Sequence, residues 1–155
     1  MLRPILPLLA AAAFVASAQK YDGPVPPKPD IPYLKHASEL VPTESVQATE
    51  EKKKDDITYV IAGPSSSAKT PLASPIFLLK SDKLSPDRLG LYRLDVRNGR
   101  REIVFGAKKK PKPILIEVNR VAPGLYRIEV DESLESGEYA LSPEGSNQSF
   151  CFQVF

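Results

Sequence analysis

Asn98-Gly99, set between two runs of alternating polarity, leaves the surrounding chain little conformational choice. Both residues tolerate positive φ, and the pair is a preferred centre for a two-residue type I′ hairpin turn. Folding the chain about it sets Val96 opposite Arg101, Leu94 opposite Ile103 and Tyr92 opposite Phe105. Those pairs share one face, nearly all apolar. The other face receives Arg97 with Arg100, Asp95 with Glu102 and Arg93 with Val104, and is mostly charged. A one-residue slip would exchange the two faces, so this sorting supports the register.

Strand-like runs recur around the hairpin, broken by Gly and Pro. Ile57 to Ile61 alternates and stops at Gly63-Pro64. Ile76 to Leu79 is short and apolar. Ile114, Ile116 and Val118 alternate with Leu115 and Glu117, and Tyr126, Ile128 and Val130 alternate with Leu125, Arg127 and Glu129 after the Pro123-Gly124 turn. Glu138 to Ser142 and Ser149 to Phe155 close the series across the turn at Pro143 to Ser146. Spacing of this kind predicts an all-β domain over 57–155, an antiparallel sandwich of about seven to eight strands.

At Leu134-Glu135-Ser136-Gly137-Glu138-Tyr139 the chain resembles the tyrosine corner of immunoglobulin-like and fibronectin-type Greek-key sandwiches. The resemblance implies that Tyr139 buries its ring while its hydroxyl bonds upstream backbone. It carries the architecture and no function. Two features depart from antibody-type domains: there is no Trp, and Cys151 is the only cysteine. As a whole the chain is similar to small secreted bacterial proteins of unknown function.

Upstream the composition changes. Residues 1–18 carry Arg3, an apolar stretch from Ile5 to Val15 broken by Pro7, and Ala16-Ser17-Ala18, the small residues a signal peptidase reads. The stretch is shorter than the ~20 apolar residues a spanning helix needs. Cleavage is expected near Ala18–Gln19, giving a secreted or periplasmic protein. No cysteine stands at that junction, so a lipoprotein is not expected. Residues 19–56 follow as an expected tether. Pro24, Pro26, Pro27, Pro29 and Pro32 favour extended chain, and 43–56 could form a short helix capped by Thr43.

Sites are scarce. Without residues 1–18 the chain keeps 20 basic and 19 acidic residues, a balance that predicts no strong nucleic-acid or membrane attraction; no specific nucleic-acid binding and, after cleavage, no membrane span are expected. His36, the only histidine, falls in the tether, and one His with one Cys is too few for a zinc site; no cofactor is expected. Ser66-Ser67-Ala68-Lys69 has the S-x-x-K spacing of penicillin-recognising acyl enzymes. Pro64 and Pro71 flank it, however, and it reads as a surface loop. Asn147-Gln148-Ser149 is a glycosylation sequon.

Two interaction surfaces are expected. One is the basic run Lys108, Lys109, Lys110 and Lys112. The other is an open sheet edge at the last strand, with Phe150, Phe152 and Phe155, able to accept a partner strand. Cys151 is expected as a buried free thiol, or one paired between molecules. Leu134, Gly137, Tyr139, Asn98 and Gly99 are expected to be structural. The functional expectation is a non-enzymatic binding or structural module. Its alternative is a hydrolase or transferase using carboxylates such as Asp131, Glu132 and Glu135.

Overall fold

The computed structural model describes residues 20–108 and 110–155. The expected leader, with its Ala18–Gln19 junction, and Lys109 lie outside the described residues. None of the described helices is long and apolar enough to cross a membrane.

Thirteen strands are present among the described residues, with one 3-10 turn at Pro86–Arg88. They are β1 Tyr33–His36, β2 Glu39–Pro42, β3 Glu44–Gln47, β4 Thr49–Lys53, β5 Asp56–Ala62, β6 Lys69–Thr70 and β7 Ile76–Lys80. Then follow β8 Leu89–Arg97, β9 Arg100–Phe105, β10 Ile116–Ala122, β11 Leu125–Val130, β12 Gly137–Pro143 and β13 Gln148–Val154. One sheet has the order β10-β11-β7-β1-β2, and the other β3-β13-β12-β8-β9-β5-β4, with β6 beside β13. All pairings are antiparallel except that of β6 with β13. The protein is all-β, as its spacing predicts.

The three pairs nearest the turn have the expected register, but the ladder to β9 stops there: Leu94 and Tyr92 face Glu138 and Ala140 of β12 rather than Ile103 and Phe105. Asn98 and Gly99 take φ of 52° and 72°, and Asp95, Val96 and Arg97 face Glu102, Arg101 and Arg100. Positive φ at both central residues twists the turn to match its strands.

The expected tether requires correction. Residues 33–53 form β1 to β4, which join both sheets, and 43–56 contains strands where a helix was expected. Val46 and Ala48 make a thin helical stripe, but two residues apart they are successive inward positions of a strand. Thr43 marks the crossing from the five-stranded sheet to the other. Its backbone N–H and its hydroxyl both donate to the Pro32 carbonyl, at 3.1 and 2.7 Å.

The larger sheet closes on itself. Its order begins with β3 and ends with β4, yet only Ala48 separates these strands. Residues 44–53 therefore form one strand whose first half bonds β13 and whose second half bonds β5. A sheet whose two edges belong to one strand is a barrel, here of six strands, and its edges are used up in the closure. The last strand is accordingly not an open edge: β13 pairs with β12, β3 and β6.

Alternation then gives the barrel two lined faces. Outside, Leu91, Tyr139, Leu141, Phe150, Phe152 and Val154 pack against Leu34, Phe77, Leu79 and Ile128 of the five-stranded sheet. Inside, Ala48, Ile61, Leu94, Ala140 and Cys151 form a second buried cluster, with Val46, Tyr59 and Ile103 against it. Each strand of the barrel contributes to this interior.

At the start of β12 the Tyr139 hydroxyl donates to the Glu135 carbonyl at 2.7 Å, over a ring that is 2% exposed. Arg93 lies over that ring, 5.9 Å from its centre, and reaches Glu135 at 2.9 Å. Tyr139→Phe deletes this one bond and is expected to lower unfolding stability by about 1 kcal/mol. Urea denaturation checks it, and an unchanged midpoint would remove the hydroxyl from the account.

Candidate functional site

The interior of the barrel differs from end to end. Along β12 the inward residues run Glu138, Ala140, Ser142; along β9 they run Arg101, Ile103, Phe105. The charged members collect at one end, and the other end opens into a cavity of about 750 Å³. Ala48, Ile61, Leu94 and Ala140 form its floor, and Tyr59, Ile103, Phe105 and Tyr92 line a wall. Ile114, just before β10, and Ile116 and Val118 of β10 also line the cavity, and the same three side chains pack against the core between the sheets. Half-buried Ser142 and Asn147 stand at the rim with the exposed Asp87, Arg88 and Glu144, and Ser149, its hydroxyl 3.2 Å from that of Ser142, is buried below them. Ile114 is held there by its N–H, which donates to the Leu91 carbonyl at 2.8 Å.

The charged end is a plug. The Arg101 side chain is 1% exposed and donates to both Glu44 oxygens, at 2.6 and 3.2 Å, and to the carbonyls of Gly63 and Ala62. Glu138 is 4% exposed and accepts the Ser66 backbone N–H at 2.6 Å. The Ser66 hydroxyl donates to the Cys151 carbonyl at 3.1 Å and accepts the Ala68 N–H at 3.2 Å. These bonds fold the 63–68 loop across the barrel end. From there β6 continues along β13, where Gln153 N–H donates to the Ala68 carbonyl.

Burial raises the Glu138 pKa above its ordinary 4.5, against the opposing pull of the Ser66 N–H and the Arg101 charge; Glu44 adds to the rise and Lys69 opposes it. The native carboxyl thus holds its proton to higher pH than the unfolded one. Between 4.5 and the raised value the native state binds more protons, so stability falls as pH rises through that window. Glu138→Gln keeps an oxygen for Ser66 and removes the titration. Its expected effect is a flatter stability–pH profile above 4.5, read from thermal midpoints across pH; a profile parallel to the parent's would contradict it.

Several sequence-named residues stand elsewhere than expected. Phe150 and Phe152 are 3% and 0% exposed, packed between the sheets, and cannot form an interaction surface; Phe155 alone is exposed. Alternation placed Cys151 on the opposite face from these rings, which is where the barrel interior covers it. Burial pushes its thiol up to about 12, which leaves essentially no thiolate at neutral pH. Ser66 is buried as part of the plug, whereas Lys69 is exposed in a strand, so the S-x-x-K residues make no one-turn helical pair. His36 lies in β1, its Nε2 2.9 Å from the Thr70 hydroxyl, rather than in a solvated linker.

Lys108, Lys110 and Lys112 are exposed on the connection from β9 towards β10. Asp131, Glu132 and Glu135 are exposed on the β11–β12 connection and line no cavity among those described; Glu135 is tied to Arg93. Among the described residues no group of three or more His, Cys, Asp or Glu side chains is placed to hold a metal ion. Sequence reasoning missed the cavity and the plug. The alternation of residues 92–105 identified one wall, but the opposing walls come from segments far apart in the chain. No family model, curated protein or solved structure matches the chain.

Proposed function

We propose that the protein is a non-enzymatic binding module and that its site is the open end of the barrel, which holds a largely apolar small molecule. The observation that carries this reading is the cavity of about 750 Å³ with an uncharged floor of Ala48, Ile61, Leu94 and Ala140. Ligand sites commonly have this size and this balance, mostly apolar with a few polar groups at defined points. A cavity that serves only packing would cost stability for the dispersion contacts it forgoes.

The leader-like residues 1–18 support a secreted or periplasmic place of action. The Tyr139 bond to Glu135 supports a likeness to the tyrosine corner of immunoglobulin-like sandwiches, which assigns no site by itself. The carboxylate-dependent hydrolase or transferase draws no support from Asp131, Glu132 and Glu135, since they are exposed on the β11–β12 connection and none of them lines the cavity.

The test is binding of an uncharged fluorescent probe, N-phenyl-1-naphthylamine, to the parent protein and to Ser142→Phe. Ser142 is half-buried at the rim, so a larger ring there intrudes on the cavity without entering the core between the sheets. Saturable binding to the parent, weakened about tenfold or more in the variant, a loss of ~1.4 kcal/mol, is the expected result. Ile103→Trp, on another wall, is a second block. Unaltered affinity in both folded variants would sink the reading.

A further inference from the structure

Phe105 is the centre of an aromatic wall. The Tyr59 ring lies 5.5 Å from it with planes at 87°, and the Tyr92 ring 5.6 Å from it at 74°. All three rings line the cavity, from adjacent strands β5, β9 and β8. Perpendicular contacts set electropositive ring edges against electron-rich faces. Gly90 is part of the arrangement: a Cβ there would come 2.9 Å from Tyr92 Cε2, so any larger residue would displace that ring. The Tyr92 ring thus occupies the space that a side chain at position 90 would take.

Polarity across the cavity narrows the ligand further. Its floor has no charge, and the charged lining residues, Asp87, Arg88 and Glu144, are all exposed at the rim. An ion carried to the floor would lose hydration with nothing to replace it. The half-buried tyrosines of the wall carry hydroxyl groups, donors and acceptors within an otherwise apolar lining.

We propose that the barrel cavity selects an uncharged molecule containing a planar ring, held against the Tyr59–Phe105–Tyr92 wall with its apolar edge towards Ala48, Ile61, Leu94 and Ala140. A hydroxyl or carbonyl on such a ring meets the tyrosine hydroxyls. An aliphatic chain of similar size gains the same area burial but nothing from the rings. The inference rests on the cavity being the binding site.

Two uncharged probes separate the possibilities: N-phenyl-1-naphthylamine, which has planar rings, and 1-decanol, which has none. Phe105→Leu keeps an apolar side chain and removes the central ring. The variant is expected to bind the ring probe about fivefold more weakly and to bind 1-decanol within about twofold of the parent. Tyr92→Leu, at a half-buried position, should repeat the pattern. Equal losses for both probes, or parent affinity for 1-decanol matching that for the ring probe, would overturn ring selection while leaving the cavity as the site. If Ser142→Phe and Ile103→Trp change neither probe's affinity, or neither probe binds the parent, the cavity reading itself fails and this inference with it.

Discussion

Arg101→Ala is expected to cost about 3–5 kcal/mol of unfolding stability, the loss that follows when one partner of a buried ion pair is removed. The guanidinium holds Glu44 through two bonds and two backbone carbonyls besides, and Glu138 lies near enough to respond to its charge. Without it Glu44, which is partly covered, and Glu138, which is buried, remain beside one another with no cation between them. The two carbonyls lose donors in the same step. Most of the loss is therefore the penalty of what is left behind. Arg101→Met combined with Glu44→Leu removes both ends of the pair and should recover much of the loss. Urea denaturation followed by circular dichroism measures both variants. A loss below about 1 kcal/mol for Arg101→Ala would mean that water or a neighbour replaces the guanidinium, and the plug would not be a structural element.

Phe152→Ala is the second large effect, about 3–5 kcal/mol, as expected for removing a large aromatic side chain from a core. Its ring is fully buried, in edge contact with Phe77 of the five-stranded sheet at 5.0 Å and stacked on Tyr139 at 5.6 Å. The substitution opens a void where the barrel's outer face meets the other sheet. A calorimetric scan measures it. A protein with unchanged stability would return Phe152 to the surface role that its sequence position suggests.

What the residues reveal by themselves follows the range of the forces involved. The hairpin at Asn98-Gly99 is legible because one local φ requirement fixes the register of the three residue pairs beside it. The bond from Tyr139 to Glu135 spans four residues and is legible for the same reason. Closure of the barrel is not. It depends on residues 44–53, whose inward positions include a charged residue, Glu44, that looks solvated until Arg101, 57 positions later, is set against it. Ser66 conceals its burial in the same way, being satisfied by Glu138 and Cys151 from distant strands. Phe150, Phe152 and Val154 alternate along one apolar face of β13, which packs in the core between the sheets rather than serving as the surface expected of the two rings. The alternation cannot say that the strand has neighbours on both sides. The cavity is least legible of all, because it is defined by the separation between walls that each read as ordinary apolar strands.

Methyl-resolved NMR of the protein titrated with N-phenyl-1-naphthylamine shows where a ligand binds. Ring currents from a bound probe should shift the methyls of Ala48, Ile61, Leu94, Ile103 and Ala140, which line the cavity, and leave those of Leu34, Leu79 and Val154 between the sheets unmoved. Shifts confined to that interior set, saturating together, are the predicted result. Shifts scattered over exposed residues such as Leu72 and Val25, or confined to the core between the sheets, would contradict a binding site inside the barrel.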